Sequence, residues 1–113
     1  MTKKNKDLSC PLDYAFQFIS GKYKGRIIWY IYDANNVMRY GELKKILQNI
    51  TPKMLTQSLR ELESDRLIKR KVYRQVPPKV EYSLTNSGKE LIPFLINLKE
   101  WGDRKRALEL DNA

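Results

Sequence analysis

At 113 residues, 42% of them hydrophobic and 11% aromatic, the chain has enough apolar side chain for one core and no room for a catalytic domain beside another module. Lysine and arginine number 22 against 13 acidic residues, a formal charge of +9 that favours polyanionic partners. With no histidine and a single cysteine, Cys10, the usual metal sets, an internal disulfide and most catalytic constellations are missing, so neither cofactor nor metal is expected and an enzyme is the least favoured reading.

Residues 1–9 are polar and lysine-rich and are expected to form a basic flexible arm, with one domain over residues 10–113. The basic start Met1 to Lys6 runs into Asp7 and Pro11 rather than an apolar signal core. No stretch approaches the roughly 20 apolar residues of a membrane span, so no membrane partner and a cytoplasmic location are expected. Pro11 suits a first helical turn, and from Leu12 to Ser20 the apolar residues Leu12, Ala15, Phe16 and Ile19 share one helical face, which Gly21 ends. Ile27 to Tyr32 is apolar on all sides, and periodicity alone leaves it open between a buried strand and a buried helix.

Asp33 to Asn36 reads as a turn, and Tyr40 to Leu47 as a short helix carrying Leu43, Ile46 and Leu47. After a brief connection, Thr51 and Pro52 supply an N-cap and a first helical residue. Met54 replaces the glutamate of a capping box at the third position. From Pro52 to Ser64, Leu55, Leu59 and Leu62 line one face while Lys53, Gln57, Arg60 and Ser64 lie opposite, with Thr56 at the flank. Leu67 to Arg74 is strand-like, Val76-Pro77-Pro78 is a stiff turn, and Val80, Tyr82 and Leu84 alternate with polar residues, which makes a hairpin. Thr85 caps one long helix bearing Leu91, Phe94, Leu95, Leu98, Trp101 and Leu108, which Pro93 should kink unless it sits where no backbone partner is needed. Ile92 and Ile96 lie off its main apolar stripe, as if a second subunit covered another side.

Helix, short turn, helix and basic hairpin is the order of a winged helix, in which the second helix enters the DNA major groove and the hairpin wing lies beside it. Lys53, Thr56, Gln57 and Arg60 are the candidate base readers: Arg and Lys suit guanine, Gln suits adenine, and the Thr methyl meets that of thymine. Between Asp65 and Glu81 stand Arg66, Lys69, Arg70, Lys71, Arg74 and Lys79 with no acidic residue among them. Lys69, Lys71, Arg74, Gln75 and Lys79 on the wing, with Arg39, Lys44 and Lys45 around the first helix of the pair, are the candidate phosphate contacts, and Arg74 or Lys79 can enter a minor groove. Two other readings use the same residues: a non-specific architectural nucleic-acid binder, and a winged helix whose basic wing meets an acidic protein.

Several short runs together narrow the choice: Cys10-Pro11-Leu12, Gly21-Lys22-Tyr23-Lys24, Arg39-Tyr40-Gly41-Glu42-Leu43, Ile50 to Glu63, and Val76 to Thr85 with Gly88. Through them the chain resembles the HxlR family of MarR-like winged helix regulators from Cys10 to Gly102. The resemblance implies an α+β, mainly α fold: a winged helix-turn-helix with a two-stranded wing, a buried helix over Ile27 to Tyr32, and terminal helices forming a homodimer. It thereby implies a sequence-specific transcription regulator, repressor or activator, on double-stranded operator DNA. Leu12, Phe16, Ile92, Leu95, Ile96, Leu98 and Trp101 are the candidate dimer surface. Tyr23 stands where the family usually has Trp, and Arg66 where a glycine is common, in a turn that wants positive φ. In several members a cysteine matching Cys10 senses oxidants or electrophiles. A thiol at a helix N-terminus near Lys3, Lys4 and Lys6 suits that role, because such a setting favours the thiolate. No residue pattern identifies a small-molecule inducer.

Overall fold

The structure is a computed structural model and describes residues 4–111. Pro11 sits in the first turn of α1 (Pro11–Ile19), where its missing N–H has no helical partner to lose, and Cys10 is the extended residue before it. Gly21 turns the chain at φ 88°. The ambiguous apolar run then proves helical: α2 (Lys24–Asp33) carries it, with Ile27, Ile28 and Ile31 on one buried face and Tyr32 exposed. A strand would have put Ile27 and Ile28 on opposite sides; a helix gathers all three isoleucines into the core.

Asn35 and Asn36 adopt positive φ in the turn after α2, and Asn36 Oδ1 accepts the Leu84 N–H at 3.1 Å. That bond ties the turn to the wing and admits a strand that period-two alternation cannot signal, β1 (Met38–Arg39). Then come α3 (Tyr40–Ile46), α4 (Pro52–Ser64), β2 (Ile68–Tyr73), β3 (Lys79–Leu84), α5 (Asn86–Glu90) and α6 (Ile92–Asp111). β2 and β3 form the expected two-stranded hairpin, but the sheet has three antiparallel strands in the order β1-β3-β2. The expected long C-terminal helix is divided at Leu91: Thr85 caps α5 by accepting the Gly88 N–H, and Pro93 falls in the first turn of α6, where it needs no partner.

Leucines and isoleucines of α2, α3, α4 and the wing base, with Tyr23, Met38, Tyr82 and Ile92, make one core. Ile92 is 4% exposed, so its place is inside the protomer and it is not offered to a partner. The described part of the N-terminal arm also differs from a free tail. Asn5 N–H donates to Gln17 Oε1 at 2.6 Å, Gln17 Nε2 returns a bond to Asn5 O at 3.1 Å, and Lys4 Nζ reaches Asp65 Oδ2 at 2.9 Å. Residues 1–3 of that arm, Lys3 included, lie outside the described residues.

Arg66 stands at φ 61°, the left-handed turn that glycine would take more easily. Its surroundings hold it there: its N–H bonds Glu63 O, its carbonyl accepts the Thr85 hydroxyl at 2.6 Å, and the next residue's N–H returns to Leu62 O. Gly88 packs so closely on this junction that a Cβ would run into the Leu67 carbonyl, which is already bonded to Thr85 N–H. Gly88→Ala should therefore destabilise the fold by about 1–3 kcal/mol. Gly41→Ala on α3, with open space around its Cα, should stabilise it by about 0.5–1 kcal/mol. Urea unfolding of both variants checks the contrast.

Candidate nucleic-acid interface

Thr51 Oγ1 accepts the Met54 N–H at 3.1 Å and starts α4 without a capping box, as its sequence implies. The Tyr40 hydroxyl donates to Pro52 O at 3.4 Å, joining the first residue of α3 to the first of α4. Leu55, Leu59 and Leu62 are buried on the inner side of α4. Lys53, Gln57 and Arg60 are exposed along the outer side and Thr56 is half-buried at its edge, so all four candidate base readers share one accessible strip.

Behind that strip is an ion pair that spacing alone does not reveal. Lys24, the first residue of α2, is 8% exposed, and its Nζ meets Glu61 Oε2 on α4 at 2.7 Å. Gln57 Nε2 donates to the other oxygen, Oε1, at 3.4 Å. The Lys24 hydrogen bond holds the Glu61 carboxyl below its usual range, against a smaller opposing effect of burial.

The register of the wing sorts its charges onto two sides. Arg70 pairs with Tyr82 on the side facing the core, and with Thr56, Leu59, Arg60 and Glu63 it lines a cleft between α4 and the sheet. Arg70 belongs to the basic run without being one of the candidate contacts, and its separation by two from buried Ile68 turns it toward α4. On the other side Lys71 is level with Glu81, and Glu81 with Arg39 of β1, so the third strand carries Arg39 into the wing. The ammonium groups of Lys71 and Lys79 lie 4.8 and 4.5 Å from the Tyr73 ring centre. Lys79 also pairs with Glu81 at 3.4 Å. The nearby Tyr73 hydroxyl, then the charges of Lys79 and Arg39, keep the Glu81 carboxyl below its usual range. Lys69, Arg74, Gln75 and Lys45 are exposed, Lys44 is half-buried, and Val76 at the wing tip is bare.

Away from this surface, α1 and α6 show apolar side chains without a cover. Leu12 is 63% exposed and Trp101 55%, and Phe16 and Leu98 are also open, whereas Leu95 and Ile96 are half-buried against the core. Phe94, Leu108 and Leu110 extend the exposed apolar surface of α6 beyond the residues expected. Cys10 is an exposed free thiol at the start of α1. Lys4, expected to attend it, is committed to Asp65 instead.

This arrangement of capped helix pair and hairpin is that of a winged helix. The family described as HxlR-like helix-turn-helix matches residues 18–109. The chain belongs to that family. Among its relatives is the HTH-type transcriptional regulator YybR of Bacillus subtilis (strain 168), 45% identical over 97 residues, spanning 86% of this chain and 76% of YybR. The reduced form of the redox regulator HypR superposes with a TM-score of 0.83 at 42% identity, covering 90% of this chain and 99% of HypR. The reduced form of the transcriptional regulator YodB from B. subtilis gives 0.72 at 31% identity, over 86% and 94% of the two chains. An HxlR-like chain is therefore a helix-turn-helix transcription regulator, and no described helix of this one is long and apolar enough to cross a membrane.

Because the Glu61 carboxyl is lowered in the folded protein from a reference value of 4.5, its contribution to stability is present above that value and is lost as pH falls through the folded one. Urea midpoints should thus fall more steeply below pH 4.5 in the wild type than in Glu61→Gln. Equal slopes would show that the Lys24 pair does not stabilise the fold.

Proposed function

We propose that the protein binds a palindromic DNA operator as a homodimer and that Cys10 makes this binding responsive to oxidants or electrophiles. The observation that carries the reading is the two-sided α4: a leucine face sunk in the core and Lys53, Gln57 and Arg60 left bare beside a basic wing. In the major groove Arg60 and Lys53 offer donors to guanine, Gln57 matches adenine, and Thr56 offers a methyl to thymine. Lys69, Lys71, Arg74, Gln75 and Lys79, joined by Arg39, Arg70, Lys44 and Lys45, hold the phosphate backbone and set the register of α4.

Exposed Leu12 and Phe16 of α1 with Leu98 and Trp101 of α6, flanked by half-buried Leu95 and Ile96, form the surface that a second copy covers. A two-fold dimer places its reading helices on half-sites about 10 base pairs apart or a multiple of that. Cys10 begins the same helix as Leu12 and Phe16, so chemistry at its sulfur reaches the contact between subunits directly. HypR, which is named a redox regulator, supports this assignment. With a disulfide-forming oxidant such as diamide, two Cys10 thiols lose two protons and two electrons to the oxidant as one S–S bond forms. With a quinone, one thiolate adds to the ring and the ring takes up the proton.

Gel-shift titrations on a duplex selected from random DNA test the whole reading. Arg60→Ala should weaken binding to the selected sequence by about 1–3 kcal/mol and relax one base position, while Lys71→Ala weakens all sequences alike and lowers the salt slope by about 1. Diamide should alter the affinity of the wild type and leave Cys10→Ser unchanged; equal responses would exclude Cys10 as the sensor. A selection that yields no consensus would favour the architectural binder, and no binding at about 0.1 M salt would favour a protein-docking wing.

A further inference from the structure

Gln57 and Glu61 stand one helical turn apart on α4 and their side chains meet, while Lys24 holds Glu61 from behind. The three residues form a chain from the buried start of α2 to the bare face of the reading helix. Its polarity is dictated at each link. An ammonium only donates and an ionised carboxylate only accepts, so with Glu61 kept ionised by Lys24 the Gln57 amide must turn its nitrogen toward Glu61. The opposite orientation would set two acceptor oxygens against each other.

One N–H of Gln57 is thereby committed to the protein, and the amide presents one oxygen acceptor and one remaining N–H to a ligand. That acceptor and donor edge matches N6–H and N7 of adenine. A reversed amide would present two N–H donors, which match O6 and N7 of guanine. We propose that Glu61, anchored by Lys24, is a positioning residue that determines base specificity, by fixing the Gln57 amide in the orientation that selects adenine. The proposal rests on α4 being the base-reading helix.

The test is selection from a randomised duplex DNA library with the wild type, Gln57→Ala, Glu61→Gln and the double variant Lys24→Met with Glu61→Leu, each first checked for native helicity by circular dichroism. Gln57→Ala marks the base position that Gln57 reads, because preference there disappears. At that position the wild type should favour adenine over guanine by about tenfold. In Glu61→Gln, Lys24 takes the oxygen of the substituted amide, whose NH2 then faces residue 57; Gln57 reverses, and preference at this one position should move toward guanine by about tenfold. The double variant removes both charges while keeping apolar volume between α2 and α4, and its Gln57 should favour neither purine.

Adenine preference retained in either variant, a uniform loss of affinity across all positions, or a wild-type preference for another base at the marked position overturns the proposal. If Gln57→Ala leaves every position unchanged, the base-reading role of Gln57 falls and the proposal falls with it. That result differs visibly from a marked position that is indifferent to Glu61.

Discussion

Leu55, Leu59 and Leu62 of α4 enter the same core as Ile27, Ile28 and Ile31 of α2, and the exposed strip of α4 depends on that contact. Full burial of each such side chain is worth about 1.5–3 kcal/mol. That exceeds the 0.5 kcal/mol or so of an exposed helical ion pair such as Lys99 with Asp103 on α6. The leucines therefore fix where the helix lies, and its outer face is free to carry side chains that contribute nothing to the fold. The Lys24–Glu61 pair adds a contribution that depends on Glu61 being ionised, because the Lys24 hydrogen bond outweighs the cost of burial there. The pair also acts geometrically: it joins the start of α2 to one place on α4, and Glu61 there meets Gln57.

A second junction aligns the wing with the helix. Arg66 in its left-handed turn, the Thr85 hydroxyl on its carbonyl, and Gly88 against Leu67 lock the end of α4 to the base of the hairpin and to α5. The angle between α4 and the wing is thus set by backbone contacts rather than by the basic residues. Those residues are free to repel one another, and the structure tempers the repulsion locally: Lys71 and Lys79 lie near the Tyr73 ring, and Glu81 stands between Arg39 and Lys71 across the sheet.

Much of this was legible in the sequence, where a local rule and the global packing agree. The Thr51 cap, the leucine spacing of α4 and the alternation of Val80, Tyr82 and Leu84 each follow from one period or one terminus, and each stands where expected. Ile27 to Tyr32 was decided by resemblance, since apolar residues on every side erase periodicity. What stayed hidden depends on partners far away in the chain. β1 is too short to show alternation and exists because β3 offers an open edge. Ile92 looked surplus on a single long helix, but the break at Leu91 redirects it into the core. The pairing of Lys24 with Glu61, like that of Lys4 with Asp65, joins residues on elements far apart in the chain, which the spacing within one element does not connect.

The central claim is that α4 and the wing, and not the terminal helices, meet DNA. Backbone amide chemical shifts measured by NMR as a selected duplex is added test it most directly. The account predicts that the largest changes fall within Thr51 to Ser64 and Lys69 to Lys79, with α6 little affected beyond Leu98. Changes confined to α1 and α6, with α4 unperturbed at saturating DNA, would contradict it.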